Sequence, residues 1–129
     1  MAGFNDADLV LLYPSLAAAG VQESQIPNGT AAVLNFQAQA GQAVFGGGGT
    51  YKMLAVVRDL TDGTTIANFS QAGAFGDANW LTPVVSHAFN LGAQPAAKKD
   101  HVYQGIGVLV VGNINPDVSF SESPLFIII

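Results

Sequence analysis

The sequence predicts an all-β domain, an antiparallel β-sandwich or jelly roll preceded by an N-terminal arm. Three observations carry this reading. From Ala31 onward, short runs alternate apolar and polar side chains with the period of two that a half-buried strand requires. Glycine, proline and Asp/Asn signals separate those runs at short intervals. No repeat of 20–50 residues, the mark of a solenoid or propeller, is present. The predicted division is an arm over residues 1–30 and a sandwich over residues 31–129.

Within the arm, Asp8 to Tyr13 is a short apolar run stopped by Pro14, and helix and strand fit it equally. Ser15 to Gly20 suits one capped helical turn ended by glycine, and Gln22 to Thr30, with Pro27-Asn28-Gly29, reads as a loop. In the domain, Leu34, Phe36 and Ala38 share one face of a strand, and Asn35 and Gln37 share the other. Gly46 to Gly49 breaks the chain, and Tyr51 to Leu60 is the longest strand candidate. Thr61-Asp62-Gly63 turns it into a hairpin with Thr64 to Ser70. Gln71 to Pro83 reads as a loop holding Trp80, the only tryptophan, before a strand over Val84 to Leu91 and a loop over 92–99. His101 to Gly112 is apolar at 106 and 108–111, which predicts a strand covered on both faces. A turn at 113–117, a strand over Val118 to Glu122 and a last strand over 125–129 complete the order. Asp100 and Tyr103 ahead of an apolar strand give a faint likeness to an immunoglobulin-type corner. Their spacing is one residue short, and the chain has no cysteine.

Composition narrows the function. The chain has 4 basic and 9 acidic residues among 129, a net charge of −5 and 10% charged residues, against about 25% in typical soluble domains. A compact chain of this mass exposes ~6,500 Å², or about one charge per ~500 Å². No run approaches the ~18–20 apolar residues of a membrane span, so the expected cover for this apolar surface is other protein. Lys52, Arg58, Lys98 and Lys99 are the only basic side chains, too few and too scattered for nucleic acid or anionic membranes. The start of the sequence lacks the basic and apolar regions of a secretory signal, so export by that route is not expected. Asn28-Gly29-Thr30 and Asn68-Phe69-Ser70 fit the glycosylation pattern only as chance matches.

Motifs for catalysis or cofactors are weak. After Gly46 to Gly49, Lys52 is not adjacent to the last glycine and a strand follows, so no phosphate loop forms. Gly105-Ile106-Gly107 lacks the third glycine and helix of a dinucleotide site; the two glycines share a strand face, with room for a ring or another backbone. His87 lies in the row Val85-His87-Phe89-Leu91, and His101 sits beside Asp100; neither shows metal-ligand spacing. Asp59, Asp62, Asp77, Asp117 and Glu122 are the carboxylates near turns, where Asp supports backbone. The chain is expected to be no enzyme and to need no cofactor or metal.

Two regions remain as candidates. The apolar residues Leu9, Leu11 and Leu12 of the arm, with Leu125, Phe126, Ile127, Ile128 and Ile129 at the end, are expected to contact a neighbouring chain. The loop containing Asp77, Asn79 and Trp80 offers a ring to stack on a sugar and amides to bond its hydroxyls. In general character, a small, acidic, cysteine-free β domain with an N-terminal arm resembles the decoration and cement proteins of phage capsids. The resemblance implies a virion subunit that self-associates, with a trimer among the orders considered, and covers a protein shell. A carbohydrate-binding module centred on Trp80 and an extracellular or cell-surface filament subunit are the alternatives.

Overall fold

A computed structural model describes residues 7–112 and 116–129. Two sheets face each other, as the alternation predicts. The smaller sheet has the order β1-β3-β6, from β1 (Ala7–Leu16), β3 (Ala32–Ala40) and β6 (Val84–Gly92). The larger holds β2 (Gln25–Ile26), β9 (Phe126–Ile128), β7 (Val102–Val111), β4 (Thr50–Asp59) and β5 (Thr64–Ala74) in that order. In it β8 (Asp117–Glu122) pairs with the second half of β7, beside the stretch that β9 occupies. A short helix α1 (Gln42–Gly46) and a 3₁₀ turn at Ala96–Lys98 complete the described elements.

The inner faces follow from the sequence parity. Leu34, Phe36 and Ala38 of β3 meet Met53, Ala55 and Val57 of β4 and Leu109 of β7 in one buried core. Phe36 and Phe89 pack edge to face at 5.9 Å, and Phe69 of β5 stacks on Phe89 at 5.1 Å where the two sheets' open edges approach. Gly105 and Gly107 set the spacing beneath the other side. A Cβ on Gly105 would lie 2.9 Å from Leu34 Cδ1, and one on Gly107 would lie 3.0 Å from Leu9 Cδ2 and 3.2 Å from Leu12 Cδ2. The room left by the two glycines is filled by leucines, not by a ring or a backbone.

The segment expected to be an arm is, from Ala7 onward, part of the sheet. β1 pairs antiparallel with β3 from Ala7↔Ala40 to Leu16↔Ala32. Leu9 and Leu12 are buried in this chain's own core, so they are unavailable to a neighbour; Leu11 is exposed. The Leu9 N–H also donates to Ser119 Oγ of β8 at 2.9 Å, joining the two sheets at this corner. Ile26 of β2 is fully buried as well. The N-terminal division therefore does not mark off a separate body among the described residues.

Three further differences are local. The helical turn expected at Ser15 to Gly20 begins as the end of β1, because Ser15 and Leu16 pair with Val33 and Ala32. β5 continues four residues beyond Ser70, since Gln71 and Gly73 pair with Met53 and Tyr51. α1 ends on the first glycine of the Gly46 to Gly49 run and lays Phe45 against Phe75, at 5.8 Å between rings. Residues 113–115 of the turn expected at 113–117 lie outside the described residues.

Candidate interaction surface

The larger sheet turns one face to the core, and its other face receives no second layer from the described residues. On β7 the residues Tyr103, Gly105, Gly107, Leu109 and Val111 point inward and are buried. Ile106, Val108 and Val110 point outward and are half-buried. The registers place apolar neighbours beside them. Val108 lies between Leu54 of β4 and Phe120 of β8, Val110 between Lys52 and Val118, and Ile106 between Val56 and Glu122. Phe120 and Val118 are 58% and 60% exposed. A shallow groove of about 240 Å³ runs over Leu54, Val56, Ile106 and Val108. Among the described residues, the expectation that both faces of this strand are covered thus holds for the inner face only.

The C-terminal run is divided by the same parity. β9 is held between β2, parallel through Gln25↔Ile127 and Ile26↔Ile128, and β7, antiparallel through Val102↔Ile127 and Tyr103↔Phe126. Phe126 and Ile128 face the core and are buried, so they cannot be interface residues. Leu125 (54% exposed), the half-buried Ile127 and Ile129 (40% exposed) lie outside it. Leu125, Ile127 and Val102 line a second shallow depression of about 260 Å³. The outward row therefore runs along β7 from Val110 to Val102 and onto Ile127, interrupted by Gln104. Sequence reading found one end of this surface, Leu125 with Ile127, and missed Leu54, Val56, Val118 and Phe120. Their only signal is an apolar residue at every second, solvent-side position.

Trp80 is not a platform for a ligand. It is fully buried, packed against Phe75 at 4.8 Å and Tyr51 at 5.0 Å. Its indole N–H donates to the Pro83 carbonyl at 3.3 Å. Asp77 is committed inside the same loop: its carboxylate accepts from the Tyr51 hydroxyl at 2.8 Å and from the N–H groups of Asn79 and Trp80 at 3.0 and 2.9 Å. Burial alone would raise the Asp77 pKa, but these donors hold it below the ordinary carboxylate value. Burial and the adjacent Asp77 carboxylate push the Tyr51 hydroxyl upward. Asn79 is exposed but its ring partner is not. A sugar reading loses the stacking face it depends on.

The most concentrated polar chemistry lies at the β4–β5 turn, which sequence reading did not assemble. Asp59 is fully buried at the end of β4. Its Oδ1 accepts from the N–H groups of Thr61 and Asp62 at 3.0 and 3.1 Å, shaping the turn. Its Oδ2 accepts from His101 Nδ1 at 2.7 Å and from Lys98 Nζ at 3.2 Å. Desolvation raises the Asp59 pKa, yet the hydrogen bonds from His101, Asp62 and Lys98 outweigh it and lower the value to about 2. The ionised carboxylate fixes the His101 proton on Nδ1. Donor atoms of Asp59, Asp62 and His101 lie within 4.8 Å of one another, a spacing a divalent ion could bridge. Lys98, 3.2 Å from both carboxylates, already supplies the cation. The group is a clamp between the β4–β5 turn and the entry to β7. His87, the other histidine, packs edge to face on Phe89 at 4.7 Å.

No family model matches this chain, and no curated protein sequence matches it.

Proposed function

We propose that this chain is a structural subunit that works by pressing the outer face of its larger sheet onto other protein, as a decoration or cement protein of a virion shell does. The observation that carries the reading is the row Leu54, Val56, Ile106, Val108, Val110, Val118 and Phe120, apolar and outward-facing on three adjacent strands. An antiparallel sheet that faces water on one side ordinarily alternates apolar inside with polar outside. Here the alternation is lost on the strands that form this face and kept on β3, where Asn35, Gln37 and Gln39 face away from the core. No helix among the described residues is long and apolar enough to cross a membrane.

Energetics favour a repeated assembly over a single tight contact. Burying on the order of 500 Å² of apolar surface contributes about 12 kcal/mol, and association costs about 4–15 kcal/mol. One contact is then marginal, and many contacts on a lattice reinforce each other through effective concentration. A filament is the second reading, favoured by two of the sheet edges, β5 and β6. β5 and β6 are 11 and 9 residues long, carry no Asp, Glu, Lys or Arg and, among the described residues, are paired on one side only, as an edge that accepts another strand is. Negative-stain images of concentrated protein test both. Compact multi-copy particles or coated shells support the first reading and filaments the second; dispersed single subunits at every concentration overturn both.

A further inference from the structure

The outer face carries its own charges in a pattern that selects its partner. Across β4, β5, β7 and β8 the outward charged side chains among the described residues are Lys52, Arg58 and Glu122. Arg58 is engaged locally, donating to Thr65 Oγ1 and to the Gly63 carbonyl. Lys52 and Glu122 are exposed, and neither joins an ion pair within the described chain. Lys52 sits opposite Val110 and Glu122 opposite Ile106. Val108 is therefore the midpoint of the line joining them, one strand and two residues from each. With strands ~4.8 Å apart and a rise of ~3.3 Å per residue, that line is about 16 Å long, too far for the two to pair with each other.

We infer that the occupant of this face is a second copy of the chain, related by a two-fold axis that lies in the contact plane and passes through Val108. This rests on the assembly reading above and specifies its partner. An axis perpendicular to the Lys52–Glu122 line brings Lys52 of each copy onto Glu122 of the other, so one operation satisfies both charges twice. The apolar row between them is enclosed, with Val108 meeting Val108 and Phe120 falling beside Val110 and Val118. The same operation crosses the strands of the two sheets at about 70°, close to the near-perpendicular class of sheet packing. Two faces ~19 Å wide crossing at that angle bury on the order of 1,000 Å² from both copies together, the threshold for a specific interface. An isologous contact of this kind repeats each interaction and closes as a dimer. Because that dimer fills this face, the repeated contacts of a larger assembly fall to the β5 and β6 edges and the outward face of the smaller sheet.

Charge exchange tests the geometry. Sedimentation equilibrium at low salt would compare wild type, Lys52→Glu, Glu122→Lys and the double variant, with circular dichroism confirming the fold of each. Both positions are exposed, so neither change opens the core. Each single change sets like charges face to face twice and should weaken the dimer at least tenfold. The double variant restores opposite charges and should return to within about threefold of wild type. A dimer that ignores both single changes, or a double variant no better than the singles, overturns this two-fold arrangement and leaves the assembly reading standing. A wild-type protein that stays at 13.3 kDa at all concentrations overturns both.

Discussion

Truncation of Leu12 measures whether the N-terminal strand belongs to this chain's core. Leu12 is fully buried, and its Cδ atoms lie 3.2 and 3.4 Å from the position a Cβ on Gly107 would take. Leu→Ala changes in cores cost about 2–5 kcal/mol, depending on how far the neighbours collapse into the space. Gly107 has no side chain to move, and the backbone beneath it is fixed by pairing with Ala55 on one side and Ser121 on the other. Leu12→Ala should therefore fall in the upper half of that range, about 4 kcal/mol, and lower the melting temperature by roughly 12–16 °C for a domain of this size. The assay is urea unfolding followed by circular dichroism at fixed protein concentration, because association would otherwise contribute. A second variant sharpens it. Gly107→Ala crowds Leu9 and Leu12 in the wild type but meets less resistance once Leu12→Ala has removed one of the two leucines and left room for Leu9 to shift, so the two changes should couple by about 1 kcal/mol or more. A cost for Leu12→Ala below about 1 kcal/mol would mean that this strand is not packed as described.

Two other outcomes follow from buried groups. Asp59, with its pKa lowered to about 2 from a usual ~3.9, stabilises the fold above the unfolded value and loses that contribution as pH falls through the folded one. Stability should therefore decline by about 2 kcal/mol between roughly pH 5 and pH 2 from this group, and Asp59→Asn, less stable at neutral pH, should flatten that segment of the profile; an unchanged slope would contradict the clamp. Trp80, the only tryptophan and fully buried, should emit at short wavelength and resist iodide quenching until the protein unfolds, whereas red-shifted, quenchable emission in the native state would reopen the ligand-loop reading.

The fold was legible where side-chain parity is undisturbed. β3 and β6 set polar residues between apolar ones, β4 and β7 show themselves as long apolar runs, and the Asp-Gly turn between β4 and β5 announces its hairpin. β1 was ambiguous for a physical reason: the register shifts between Leu9 and Leu11, so Val10 and Leu11 are both exposed and Leu12 returns to the core. A bulge of this kind erases the period of two over the few residues that could show it. β2 has two residues and α1 five, below the length at which any period registers. The clamp joins Asp59 to His101 across 42 positions, which only the pairing of β4 with β7 brings together. The interaction surface was half legible. The apolar C-terminal run drew notice, but parity then placed Phe126 and Ile128 inside, and the larger part of the face comes from Leu54, Val108 and Phe120, which become neighbours only through strand register.

The claim that the outer face of the larger sheet is covered by other protein is tested most directly by hydroxyl-radical footprinting across a dilution series. Phe120 and Leu81 are both exposed in the single chain, at 58% and 68%, but Leu81 lies in the loop before β6, away from that face. The account predicts that labelling of Phe120, and of Val118 beside it, falls steeply as concentration rises while labelling of Leu81 stays constant. Labelling of Phe120 that tracks Leu81 at every concentration would contradict it.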